Sequence, residues 1–79
     1  MYSVHYNHDG IETKSVNADN WSDALMKAAA ISGYSINRTR SYLTGKVKGW
    51  DYGTDDERVM PVKRFKNNDG HGVWVKRKN

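Results

Sequence analysis

Three histidines, a run of acids and a long basic stretch are the residues of this chain that could do chemistry. His5, His8 and His71 invite a metal or general-base reading. His5 and His8 do not share a strand face, Asp9 is claimed by a turn, and His71 sits in a glycine loop without a paired carboxylate motif. The expectation is therefore no metal, no cofactor and no enzyme. Asp55, Asp56 and Glu57 lack calcium-loop spacing and read as a turn. Gly70-His71-Gly72 lacks the length and the following Lys-Ser/Thr of a phosphate loop. What remains is the basic set. Residues 1–33 hold four acids and two bases, a balance of −2, and residues 34–79 hold eleven bases and five acids, a balance of +6. A basic half suits a polyanionic partner.

The elements that must position those bases follow from the hydrophobic pattern. The chain has 79 residues, enough for a single domain, 1–79, with a small core. Three Trp, five Tyr and one Phe supply large buried areas per residue. Without Cys there is no disulfide framework and no thiolate zinc site. No apolar run is long enough for a membrane span, and no signal-peptide pattern opens the chain, so a cytoplasmic protein is expected.

Tyr2, Val4 and Tyr6 alternate with polar residues up to Asp9-Gly10, which reads as a β-hairpin over Tyr2–Val16. A four-residue loop would pair Tyr6 with Ile11 and Val4 with Thr13. A two-residue loop would pair Tyr6 with Thr13. A helix follows over 20–32. Asn20 caps it, Asp23 completes a capping-box variant, Trp21, Ala24, Leu25, Ala28 and Ile31 form its stripe, and Gly33 stops it.

The next stretch admits two readings. As a strand, Tyr34, Ile36, Arg38, Arg40 and Tyr42 share a face, with two Arg interrupting the apolar residues. As a helix over 36–44 capped by Ser35, Ile36, Thr39, Tyr42 and Leu43 form the inner stripe, Asn37, Arg38, Arg40 and Ser41 lie outside it, and Gly45 ends it. The helix is the cleaner pattern, with Thr39 its weak core position. The remainder reads as a small antiparallel β-sheet. Val47–Tyr52 is a loose strand, Gly53–Asp56 a turn, and Val59–Phe65 an edge strand interrupted by Pro61. Lys66–Gly72 is a loop, Val73–Val75 a strand, and Lys76–Asn79 a basic tail. The fold class is α+β.

Ala28-Ala29-Ala30-Ile31-Ser32-Gly33-Tyr34-Ser35, followed by Tyr42-Leu43-Thr44-Gly45-Lys46, resembles the helix-turn-helix of lac-repressor-type regulators. Val4–Tyr52 is also similar to the modular domain of intron-encoded homing endonucleases, through Asp9-Gly10, Leu43-Thr44-Gly45-Lys46 and Lys48-Gly49-Trp50. Thr39 departs from the apolar residue both families prefer there. The resemblance implies a non-enzymatic protein that binds double-stranded DNA with the start of its second helix in the major groove. Ser35, Ile36, Asn37, Arg38 and Ser41 would then lie nearest the bases or flanking phosphates. Arg40, Lys46 and Lys48 would hold phosphates. Lys63, Arg64, Lys66, Lys76, Arg77 and Lys78 would offer a secondary basic surface, or would simply protect an edge hairpin from aggregation. A competing resemblance, through Ala18, Asp23-Ala24-Leu25, Gly33-Tyr34, Ile36, Arg38 and Arg40, is to small phage-encoded inhibitors of bacterial RNA polymerase. It needs Tyr34–Arg40 to be a strand. It implies a host-takeover protein in a phage-infected bacterial cell, gripping an acidic protein surface with Arg38 and Arg40. Neither resemblance specifies a DNA target or an oligomeric state.

Overall fold

The computed structural model describes residues 1–65 and 71–78. The chain runs β1 (Tyr2–His8), β2 (Ile11–Ala18), α1 (Trp21–Ser32), α2 (Ile36–Leu43), β3 (Glu57–Met60) and β4 (Gly72–Arg77). The strands form one antiparallel sheet in the order β2-β1-β4-β3. α1 lies against β1, β2 and β4, and α2 lies against α1 and β3. Val4, Val73, Val75 and Met60 from the sheet meet Ala24, Leu25, Ala28, Tyr42 and Leu43 from the helices in one core. The expected α+β architecture of a hairpin, two helices and antiparallel strands is the one that forms.

The hairpin register differs from both sequence readings. Asp9 and Gly10 make a two-residue turn with φ of 53° and 78°, and His8 faces Ile11. A bulge then shifts the pairing between Tyr6 and Asn7, so Tyr6 faces Lys14 and Val4 faces Val16. Burial supplies the reason. Without the extra residue, Ser15 and Asn17 would face the core. With it, Val16 and Ala18 do, and Ala18 is buried. Thr13 lies at the irregularity, its hydroxyl donating to the Tyr6 carbonyl at 3.4 Å.

α1 begins and ends where its local chemistry dictates. The Asn20 side chain accepts from the Asp23 N–H at 2.8 Å, and Asp23 accepts from the Asp19 N–H at 3.2 Å. Gly33, at φ 84°, closes the helix by donating to the Ala29 carbonyl at 2.9 Å, and a side chain at that φ would be strained. The strand alternative for Tyr34–Arg40 is not what forms, since α2 starts three residues later. Ser35 accepts from the Arg38 N–H at 3.1 Å. Thr39, Tyr42 and Leu43 are buried, whereas Ile36 is 44% exposed and stands at the rim of the buried arc rather than within it. α2 ends at Leu43, one residue short of the expected boundary, with Thr44 as its cap.

The C-terminal half departs most from expectation. Val47–Tyr52 is irregular, not a strand. A turn closes on Trp50 N–H to Val47 O at 3.1 Å, and the Trp50 indole donates to the Val59 carbonyl at 3.0 Å. That bond, with the edge-on contact between Trp50 and Tyr42 at 5.7 Å, straps the segment to the core in place of a ladder. The turn at Gly53–Asp56 forms as expected, with Thr54 N–H donating to Glu57 O at 3.0 Å. β3 is an edge strand that stops before Pro61, which cannot donate to a ladder. β4 spans Gly72–Arg77 and lies between β1 and β3. Lys76 and Arg77 are therefore part of an inner strand, not of a tail. Alternation sends Val73 and Val75 inward, which places Trp74 and Lys76 on the sheet face away from the helices.

Candidate nucleic-acid interface

The free surface of α2 follows from its buried one. With Thr39, Tyr42 and Leu43 inside, Asn37, Arg40, Ser41 and Thr44 fall on the opposite side at 100° per residue, and Arg38 and Ile36 flank them. Asn37, Arg38 and Arg40 are exposed. Ser35 is occupied as the N-cap, so its hydroxyl is already engaged. Arg40 donates from Nη1 to Asn37 Oδ1 at 3.0 Å, which orients the amide. Ser41 is half-buried and donates back to the Asn37 carbonyl at 3.1 Å. Lys46 and Lys48 are exposed just beyond the helix, and the whole run from Tyr34 to Trp50 holds four bases and no acid.

Beneath this surface two tyrosines fix the helix. Tyr34 and Tyr42 lie 5.2 Å apart, and the Arg38 guanidinium sits 5.0 Å over the Tyr42 ring. Burial pushes the Tyr34 hydroxyl pKa above its ordinary value. The neighbouring Tyr42 adds to the rise and Arg38 partly offsets it. At the other end, Arg58 donates from Nη1 to the Leu43 carbonyl at 2.7 Å and from Nη2 to Asp55 at 3.2 Å. Its guanidinium lies 5.0 Å over Tyr52 and 5.7 Å from Trp21. Arg58 thus satisfies an orphan carbonyl at the C-terminus of α2, a role no sequence pattern marked.

The secondary basic set is scattered. Lys63 lies beside the turn between the helices, its N–H donating to Ser32 O at 2.8 Å and its Cβ close to Gly33. Lys63 and Arg64 line a groove with Ala30, Ile31, Ser32 and Gly33. Arg64 donates to the Tyr6 hydroxyl at 2.6 Å and stacks over Phe65 at 4.9 Å. Lys66 lies outside the described residues. Lys76 is on the opposite sheet face, 4.0 Å from Glu57, and Lys78 donates to Asn17 at 2.7 Å. Arg77 joins Tyr2, Trp21, Asp55 and Arg58 around a separate depression. Of the five that are described, Lys63 and Arg64 are those brought next to the turn that leads into α2.

Two constellations escaped the sequence reading. On the open sheet face, His5 Nε2 lies 2.7 Å from Ser3 Oγ, and His5 Nδ1 lies 2.5 Å from Glu12 Oε1. The order matches an acyl-transfer triad. However, Ser3 is only 3% exposed, so its Oγ offers a substrate no approach, and the relay is a polar staple between β1 and β2. At one sheet end, His8, Asp9 and His71 converge. His71 does have a carboxylate nearby, Asp9, supplied from 62 residues away, a distance at which spacing carries no signal.

No family model, curated protein or solved structure matches this chain. Among the described residues, no helix is long and apolar enough to cross a membrane.

Proposed function

We propose that this protein binds double-stranded DNA by placing α2 in the major groove, and that it does so without catalysing a reaction. The observation that carries the reading is the two-sidedness of α2. Its inner side is sealed against α1 and β3, and its outer side presents Asn37, Arg40 and Ser41, with Arg38 alongside, in a stretch free of acids. An α-helix with its side chains is about 10–12 Å across and fits a major groove about 12 Å wide. Ala29, 7% exposed, is a small buried residue of α1 four positions before Gly33, which makes the turn, and that spacing suits a helix-turn-helix. Asn37 suits an adenine edge and Arg38 a guanine edge. Arg40, Lys46, Lys48 and Lys63 suit phosphates. The reading of a protein-binding host-takeover factor drew on Arg38 and Arg40 standing on a strand. They stand on a helix.

Fluorescence anisotropy on duplex DNA tests the proposal. Four phosphate contacts give a log–log salt slope near −3.6, or about 150-fold weaker binding between 50 and 200 mM salt. Arg38→Ala should weaken binding by roughly 5- to 150-fold, whereas Arg40→Ala should weaken it alike for every sequence and lower the salt slope by about 1. Lys76→Ala, on the far sheet face, should leave it unchanged. Absent binding, or a flat salt dependence, refutes the reading.

A further inference from the structure

The geometry points to a site for one divalent transition-metal ion of the zinc class, held by His8, Asp9 and His71. It joins two adjacent residues, His8 and Asp9, to one from 62 residues further along the chain, His71. β1 ends at His8, the tight turn holds Asp9 at φ 53°, and the pairing of Asn7 with Gly72 sets His71 beside them. One donor atom from each residue lies within 4.8 Å of the others.

The distances fit a metal better than a proton. His8 Nε2 lies 3.5 Å from Asp9 Oδ2, and His71 Nε2 lies 3.5 Å from Asp9 Oδ1. Good N–H···O bonds span about 2.7–3.2 Å. Two ligands on a tetrahedral zinc with bonds of about 2.0–2.2 Å stand roughly 3.3–3.5 Å apart. His8 Nε2 therefore stands at coordination spacing from Asp9 Oδ2 and His71 Nε2 at the same spacing from Asp9 Oδ1, and closing the site requires the donor atoms, which lie within 4.8 Å of one another, to draw together.

The surroundings hold the ligands. Phe65 stacks on His71 with centroids 4.0 Å apart and planes at 10°. Tyr6 Oη lies 3.4 Å from His8 Nδ1 and accepts a hydrogen bond from Arg64 at 2.6 Å. With Arg64 donating to it, the Tyr6 oxygen keeps a lone pair for an Nδ1–H of His8, which frees Nε2 for the metal. On His71, the Asp9 N–H approaches Nδ1 at 3.3 Å, a long bond that coordination through Nε2 would exchange for a metal–ligand bond. The His71 side chain is 13% exposed and Asp9 is 74% exposed, so one flank is walled by aromatic rings while the other admits an ion and a water as fourth ligand. Two imidazoles and one carboxylate suit zinc, nickel or copper rather than magnesium or calcium, which prefer all-oxygen shells. Bound there, the ion would tie the β1–β2 turn to the entry of β4.

Isothermal titration of the untagged chain with zinc sulfate tests this. One equivalent should bind saturably, while magnesium should not bind. His8→Gln and His71→Gln should each weaken zinc binding at least about tenfold, and His5→Gln, outside the cluster, should leave it intact. Circular dichroism in EDTA establishes that each variant is folded. Independently of any variant, imidazole nitrogen resonances of the wild type should move on zinc addition for His8 and His71 and stay in place for His5. The inference is overturned by the lack of saturable binding below millimolar zinc. It is overturned equally by undiminished binding in the folded His8→Gln and His71→Gln variants, or by zinc shifting His5 instead.

Discussion

Thr39→Val should stabilise this protein. Thr39 is fully buried on the inner side of α2, and its Oγ1 finds no hydrogen-bond partner among the described residues. A buried hydroxyl left unpaired costs roughly 1–3 kcal/mol. Valine keeps the branched shape, replaces the hydroxyl with a methyl group and has a similar helix propensity. The variant should therefore gain about 1–3 kcal/mol. For a domain of this size each kcal/mol moves Tm by about 4–8 °C, so the midpoint should rise by roughly 5–20 °C. Thr39→Ser is the counter-experiment, since it keeps the orphan hydroxyl and deletes a buried methyl. It should lose about 0.5–1.5 kcal/mol. Thermal and urea unfolding followed by circular dichroism should rank the three Val, Thr, Ser. A valine variant no more stable than the wild type would refute the reasoning, because it would mean that the hydroxyl is satisfied in the folded state.

Arg58→Met should destabilise by about 1–3 kcal/mol in the same assay, since it removes a charged donor from the Leu43 carbonyl and two aromatic contacts. Gly53→Ala should cost more than about 1 kcal/mol, because at φ 93° the added Cβ would stand 2.5 Å from the Glu57 carbonyl oxygen; an unchanged urea midpoint would contradict that geometry. Asp23 is held below the usual carboxylate pKa by Lys27, then by the Asp19 N–H. Its folded pKa is depressed, so its contribution is present above the unfolded value of about 3.9 and is lost as pH falls through the lower folded value. Asp23→Asn should accordingly flatten the acid limb of a stability–pH profile. The Tyr34 hydroxyl is shifted the other way, so its contribution is complete below the unfolded tyrosine pKa of about 10 and fades as pH rises through the folded value. Ultraviolet titration should show a late-ionising tyrosine component, and Tyr34→Phe should remove it.

Features whose causes lie within four residues of each other are legible in the chain alone. Asn20 capping Asp23, Gly33 ending α1, Ser35 capping Arg38 and Asp9-Gly10 turning the hairpin are contacts within one helical turn or one loop, so residue type and spacing specify them. They were enough to mark a second helix with polar and basic residues outside its buried stripe, and hence the candidate interface at Asn37, Arg38 and Arg40. Tertiary structure decided the rest. The bulge exists because the sheet needs Val16 and Ala18 under α1, a demand made by a helix that local spacing in β2 does not contain. Lys76 and Arg77 became part of an inner strand because β4 found β1 on one side and β3 on the other. Trp50 gave its segment to the core by bonding a carbonyl nine residues away rather than by joining a ladder. Arg58 reached the end of α2 across fifteen residues, and His71 reached Asp9 across sixty-two. Such meetings depend on which strands pair and in what register, and that is fixed by burying the whole core at once rather than by any stretch of the chain alone.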